Sequence, residues 1–292
     1  MRLATFSHSG RTRIGVVEGD EIVDLAAAAP DLPTEMRAFL EAGAAALDAA
    51  RKAAAGAEQR IALADVKLEA PIRRPGTFLA VGLNYADHAA EGGRAVPDFP
   101  IFFNKQTSCV SGPYDPIHLP RVSELLDYEG ELGLVIGRRC RHVPKERAAE
   151  VIAGYTVVND VSVRDWQRRA PTMTLGKSFD THGPTGPWIV TPDEVGDPHA
   201  LELQTLVNGE ERQHSNTKHL VFDCYDIVET LSTVFTLEPG DIVATGTPQG
   251  VAAYFDPPRW LKSGDVVRIE IEGIGAIENR VIAEPEGTAR ID

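Results

Sequence analysis

Asp127-Tyr128-Glu129-Gly130-Glu131-Leu132-Gly133-Leu134-Val135-Ile136-Gly137 opens on three carboxylates and ends in a strand-like apolar run. In a strand, side chains two positions apart share a face. Glu129 and Glu131 then lie roughly 6.6 Å apart along the backbone, and their carboxylates can converge on one ion. Two like charges held so close repel, and a hard divalent cation offsets that cost. A solvated strand face is the commoner use of an isolated Glu-x-Glu, and the pair alone does not choose.

Outward from this stretch, Val157-Val158-Asn159-Asp160 ends an apolar strand on a carboxylate. Buried carboxylates without partners are rare. Asp160 either caps the segment that begins Val161-Ser162 or joins Glu129 and Glu131 as a third oxygen ligand. Three carboxylates without His or Cys favour Mg²⁺ or Mn²⁺ over zinc, with Ca²⁺ as a further hard cation.

Upstream, Val81-Gly82-Leu83-Asn84-Tyr85-Ala86-Asp87-His88-Ala89-Ala90-Glu91 reads as a strand end, a capping Asn84 and a helix. His88 and Glu91 fall at i and i+3 on one helical face, where the carboxylate can orient the imidazole. A surface His–Glu pair has the same spacing. Downstream come Val163-Arg164-Asp165-Trp166-Gln167 and Leu175-Gly176-Lys177-Ser178-Phe179-Asp180. Gly176 permits close backbone approach to a ligand, and Lys177 can pair with a substrate carboxylate or an enolate, or decorate a turn. Ala244-Thr245-Gly246-Thr247-Pro248-Gln249-Gly250 can present N–H groups and the Thr247 hydroxyl to an anion. It lacks the Gly-Lys-[Ser/Thr] ending of a P-loop.

The fold expected is mostly β with few helices. Short strands occupy the first 25 residues, and an Ala-rich helix runs from 34 to about 55. Further strands centre on 78–81, 133–136, 154–158, 188–190, 201–207, 242–244 and 266–271. Asn208-Gly209 supplies a type I′ hairpin turn. Helices follow Asn84 and lie near 145–152 and 224–231. Pro71 and Arg73-Arg74-Pro75-Gly76 punctuate the chain, dividing a small N-terminal module, 1–68, from a main domain, 69–292.

The chain has 292 residues and a net charge of −14. Such a chain repels phosphate backbones and anionic lipid, and no basic block offsets this, so neither nucleic acid nor membrane is an expected partner. Cys109, Cys140 and Cys224 are widely spaced and odd in number, which suits free thiols in a reducing compartment. The N-terminus turns polar too soon for a signal peptide, and no apolar run reaches membrane-spanning length. The expected setting is the cytoplasm.

Together these motifs resemble the fumarylacetoacetate hydrolase superfamily over 76–282. The resemblance also rests on Phe99-Pro100-Ile101-Phe102-Phe103-Asn104-Lys105 and Asn159-Asp160-Val161-Ser162-Val163-Arg164-Asp165. It implies a mixed β-sandwich roll, a homodimer, and metal ligands Glu129, Glu131 and Asp160. It implies a catalytic His88–Glu91 dyad in a segment that closes as a lid, and substrate contacts from Gln167, Lys177 and Thr247. Arg164 is a further source of positive charge for an anionic substrate. The family pattern carries an aromatic residue after Asp180, where this chain has Thr181-His182-Gly183, and Arg168-Arg169 lies in a variable stretch. Both bear on substrate choice.

The function expected is Mg²⁺-dependent hydrolysis of the C–C bond of an acylpyruvate-like 2,4-dioxo acid, with a small anionic 2-oxo acid as the bound partner. Decarboxylation of oxaloacetate or isomerisation of an oxo-dienoate on the same metal is the enzymatic alternative. A partner-binding module that kept the fold is the alternative of another class.

Overall fold

The computed structural model describes residues 1–287. The architecture is mostly β, built on a 12-stranded sheet and a five-stranded sheet. The strand Gly130–Ile136 lies inside the large sheet, antiparallel to Ile152–Asn159 on one side and to Ile242–Ala244 on the other. Its alternation splits two cores. Leu132, Leu134 and Ile136 face one, with Leu203, Val267, Ile269 and Ile277 of the five-stranded sheet. Val135 faces the other, with Phe39, Leu40, Ala46 and Ala50 of the N-terminal helices. A strand covered on both faces has no polar side, which is why all seven of its residues are buried.

The first strands, Arg2–His8, Arg11–Glu18 and Glu21–Asp24, form a meander whose first strand continues the large sheet by pairing with Gly183–Val190. Two long-range pairs, Arg2 with Val190 and Leu3 with Ile189, make that junction. The Ala-rich helix expected from 34 to about 55 is two helices, Met36–Glu41 and Gly43–Gly56. The break falls at Gly43, whose φ of 72° lies in the left-handed region that glycine enters without steric cost. The Asn208-Gly209 turn forms as expected, with φ of 53° and 80° between Glu202–Val207 and Glu210–Asn216.

Four strand ends converge to place the site. Phe78–Gly82 runs parallel to Ile242–Ala244, so their C-terminal ends lie together and lead into 83–88 and 245–250. Gly130 pairs with Asn159, which sets the start of Gly130–Ile136 beside the end of Ile152–Asn159. Among the described residues no helix is long and apolar enough to cross a membrane.

Candidate metal centre and active site

Glu129, Glu131 and Asp160 come together at this convergence. One carboxylate oxygen from each lies within 4.8 Å of the others, and all three residues are buried. The register explains the meeting: Glu131 is opposite Val158, and the Asp160 N–H donates to the Glu129 carbonyl at 2.9 Å. Asp160 is not a helix cap. Its carboxylate accepts from Lys105 Nζ at 2.6 Å and Lys177 Nζ at 2.7 Å. Lys177 Nζ also donates to Glu129 Oε2 at 2.5 Å. Arg164 lies 2.7 Å from Glu129 Oε1 and donates to Asp127 Oδ2 at 2.8 Å.

Charge balance decides what this cluster can hold. The carboxylates of Asp127, Glu129, Glu131 and Asp160 face the cations of Lys105, Lys177 and Arg164. On formal charges one carboxylate is left without a cation of its own, Glu131, whose hydrogen-bond donor is the Gly246 N–H at 2.6 Å. Burial, reinforced by Asp160 and Glu129, pushes the Glu131 carboxyl well above the usual range. Burial opposes ionisation at Glu129 too, but Lys177 and Arg164 outweigh it and hold that carboxyl well below the usual range. Burial also works against the Lys177 ammonium, and Asp160 and Glu129 overcome it, raising its pKa. A cluster one charge short of neutral, with three convergent oxygen donors and no nitrogen or sulfur donor, fits a hard divalent cation. With such a cation the balance turns positive, which suits an anionic ligand.

His88 and Glu91 form the expected pair. His88 Nδ1 lies 2.7 Å from Glu91 Oε1, and Glu91 Oε2 accepts from the Gly250 N–H at 2.9 Å. Both carboxylate oxygens are thereby committed, and His88 is only 8% exposed, so this is not a surface pair. The helix Ala86–Glu91 is not capped by Asn84. Tyr85 is the N-cap residue, without a side-chain bond. The Asn84 amide donates to the Phe222 and Thr245 carbonyls and accepts from the Phe222 N–H, tying the helix entry to two distant segments.

A cavity of about 610 Å³ joins the two groups. His88, Glu129, Glu131, Arg164, Gln167, Lys177 and Thr247 all line it, so every residue assigned to chemistry from sequence reaches it except Glu91 and Asp160, which contact lining residues instead. Two assignments change in detail. The Thr247 hydroxyl donates to the Gly130 carbonyl at 3.0 Å and accepts from Gln213 at 2.8 Å, so its one proton is already used. Gly176 makes room for protein rather than for a ligand: a Cβ there would lie 2.2 Å from the Gln167 nitrogen. His182 is absent from the cavity lining. It packs behind Phe179, ring centroids 5.4 Å apart, and its Nε2 donates to the His118 carbonyl at 2.8 Å.

Lys105 and Asp127 belong to the site but carry no assigned role in the sequence reading. Lys105 ends the apolar strand Ile101–Lys105, the same signal that singles out Asp160. Asp127 accepts from the Ala252 and Ala253 N–H groups at 2.7 and 3.0 Å, which holds Tyr254 with its ring 5.9 Å from that of His88.

The profile described as "Fumarylacetoacetate (FAA) hydrolase C-terminal" matches residues 77–282. The chain belongs to the fumarylacetoacetate hydrolase family. A second profile, "Rv2993c-like, N-terminal", matches residues 1–71. The chain is an enzyme of the oxo-acid-processing fumarylacetoacetate hydrolase family. It is 44% identical over 288 residues to a mitochondrial oxaloacetate tautomerase of Xenopus laevis, covering 97% of this chain and 90% of that one. Among solved structures it resembles maleylpyruvate hydrolase from Sphingobium sp. SYK-6, determined with manganese(II) and pyruvate. That match has a TM-score of 0.81 at 37% identity, covering 98% of this chain and 100% of the other. It also resembles 2-hydroxyhepta-2,4-diene-1,7-dioate isomerase from Mycobacterium marinum, with a TM-score of 0.78 at 34% identity over 98% and 100% of the two chains.

Proposed function

We propose that this protein is an Mg²⁺-dependent hydrolase that cleaves the C–C bond of a small 2,4-dioxo acid. The observation that carries the reading is the placement of a buried His88–Glu91 dyad and a three-carboxylate cluster at one cavity. Glu129, Glu131 and Asp160 would hold the cation. When bound, the cation acts as a Lewis acid toward the 2-oxo carboxylate end of the substrate and stabilises negative charge there.

The chain's own groups supply the proton transfers. Glu91 can only accept, so it fixes the proton on His88 Nδ1 and leaves Nε2 as the basic nitrogen. Nε2 takes a proton from water, and the resulting hydroxide attacks the distal carbonyl. The C–C bond then breaks toward the 2-oxo side, and the pyruvate enolate that leaves takes up a proton to become pyruvate. Lys177 and Arg164 line the same cavity and keep positive charge beside the end of the substrate where the enolate develops.

A second reading, keto–enol tautomerisation of oxaloacetate, is favoured by the 44% identity to the Xenopus laevis tautomerase. It uses the same base to move a proton from carbon without breaking a C–C bond. Acetylpyruvate and oxaloacetate, each supplied to the Mg²⁺-loaded protein, separate the readings. Pyruvate release from acetylpyruvate supports hydrolysis. Accelerated decay of the oxaloacetate enol with no cleavage of acetylpyruvate assigns tautomerisation instead, and turnover of neither substrate overturns both.

A further inference from the structure

One face of the strand Ile101–Lys105 runs from the carboxylate cluster to the outside of the cavity. Alternate residues of a strand share a face. On this one Lys105 Nζ donates to Asp160 at 2.6 Å, while Phe103 and Ile101 line the cavity. From Lys105 to Ile101 the strand covers roughly 13 Å. Lys105 and Phe103 are buried, the Phe103 ring centroid lies 5.0 Å from Lys177 Nζ, and Ile101 is exposed. The neighbouring strand leaves this face open. Gly82 is opposite Ile101, and a Cβ added to it would lie 3.8 Å from both Met173 Cε and Phe103 Cε1. The result is an apolar track that starts beside the lysines and ends at solvent.

Met173 meets the track from a backbone conformation that its residue type rarely adopts. Its φ of 59° and ψ of −16° lie in the left-handed region, where a bulky side chain is costly. The turn holds it there: its N–H donates to the Ala170 carbonyl at 3.1 Å, and its carbonyl accepts from the Gly176 N–H at 3.0 Å. The thioether is held as well, by Gln167 Nε2 at 3.6 Å from Sδ. Among the described residues the other bulky apolar side chain on a positive φ is Leu83, at 56°, and it too lines the cavity. Such conformations persist where the surroundings impose them, and they gather at ligand sites. A thioether chain also adapts its shape to what it covers. The cavity, at about 610 Å³, falls in the range that takes drug-sized ligands, so a small acid held at the cluster leaves the track uncovered.

We propose that Ile101, Phe103 and Met173 form an apolar subsite for an uncharged hydrocarbon chain on the far side of the substrate from its 2-oxo carboxylate. The inference rests on the 2-oxo acid reading above and adds to it the class of acid, one with an alkyl tail several carbons long. The 2-oxo carboxylate end lies by the carboxylate cluster, and the tail follows the strand face outward past Phe103. Each methylene laid on the track leaves water, which favours longer tails by about fourfold per carbon.

Calorimetric affinities for straight-chain 2-oxo acids, with Mg²⁺ present, test this. The ligands are 2-oxopentanoate, 2-oxooctanoate and the diacid 2-oxooctanedioate, with oxalate, which reaches only the cluster, as the reference for each protein. The proteins are the wild type, the polar double variant Ile101→Gln/Met173→Gln and the apolar double variant Ile101→Leu/Met173→Leu. In the wild type 2-oxooctanoate binds about tenfold or more tightly than 2-oxopentanoate, and more tightly than the diacid. That ratio falls to about one in the polar variant and persists in the apolar one, while oxalate affinity stays the same in all three. The subsite is overturned, with the 2-oxo acid reading intact, if oxalate binds the wild type but affinity does not rise with chain length, or if the diacid binds more tightly than 2-oxooctanoate. A preference that survives in the polar variant, or a polar variant that loses oxalate and the long chain together, overturns the assignment to these side chains. If oxalate and every 2-oxo acid fail to bind the wild type, the 2-oxo acid reading falls, and the subsite with it.

Discussion

Lys177 Nζ and Glu129 Oε2 meet at 2.5 Å across 48 positions of sequence. The contact ties the turn Thr174–Lys177 to the carboxylate cluster, and it depends on Gly176, which packs against the Gln167 backbone. An added methyl there meets backbone atoms at 2.2 and 2.4 Å, so one segment has to move. Gly176→Ala is therefore expected to cost about 1–3 kcal/mol of stability, the usual range for overpacking, and to lower turnover by displacing Lys177. Denaturant unfolding alongside steady-state kinetics checks both effects; a variant of wild-type stability contradicts the packing account.

Glu131 is the group whose charge has no cationic partner, and its folded-state pKa is raised. A raised carboxyl contributes stability below the ordinary carboxyl range and loses it as pH rises through the folded value. Metal-free wild-type protein should therefore become less stable as pH rises from the ordinary carboxyl range. Glu131→Gln, which keeps the size and removes the charge, should unfold at a higher temperature than the wild type near neutral pH in chelator. With Mg²⁺ present the order reverses, because only the wild type gains. Its Mg²⁺ affinity should exceed that of the variant by at least ~10-fold. Thermal scans across pH with and without Mg²⁺ check the crossing; parallel curves for the two proteins contradict it.

His182 gives a second pH dependence, of opposite sign. Burial pushes its pKa from 6.5 down to about 3. Below 6.5 the unfolded chain takes a proton that the folded imidazole refuses, so stability falls on acidification through the window from 6.5 to about 3. The slope from this group is on the order of 1.4 kcal/mol per pH unit within that window. His182→Asn, which keeps a donor for the His118 carbonyl, should flatten the acid limb of the stability profile. An unchanged limb would show that His182 titrates normally.

Much of the site is legible in sequence because its ligands sit at the ends of apolar runs. Glu131 begins one and Asp160 ends another, and a period of two puts Glu129 and Glu131 on one side. What sequence does not display is pairing at long range. Nothing local to Arg2 or Leu3 signals that their strand continues the main sheet at Val190 and Ile189. The Thr247 hydroxyl is free as a sequence motif but committed once Gln213 and Gly130 arrive beside it. Asn84 has the residue type of a helix cap, yet tertiary carbonyls at Phe222 and Thr245 claim its amide. The break at Gly43 is a local signal of a different kind, a glycine inside a helical pattern that marks a stop.

The dyad and the cation are separable. His88→Ala removes the base without touching a carboxylate of the cluster, so Mg²⁺ affinity should stay near the wild-type value. Turnover should drop by roughly 10²–10⁴-fold, the range for losing general-base assistance. Calorimetry and kinetics on the same preparation separate the two quantities, and wild-type turnover in this variant would remove His88 from the mechanism.

The central claim is that a cation held by Glu129, Glu131 and Asp160 is required for chemistry on a 2-oxo acid. The most direct measurement is turnover of acetylpyruvate, followed as pyruvate release, by protein stripped of metal with chelator and then resupplied with Mg²⁺. The account predicts no turnover in the stripped wild type, recovery on adding Mg²⁺, and no recovery in Glu131→Gln under the same conditions. Undiminished pyruvate release by the metal-stripped wild type would contradict it.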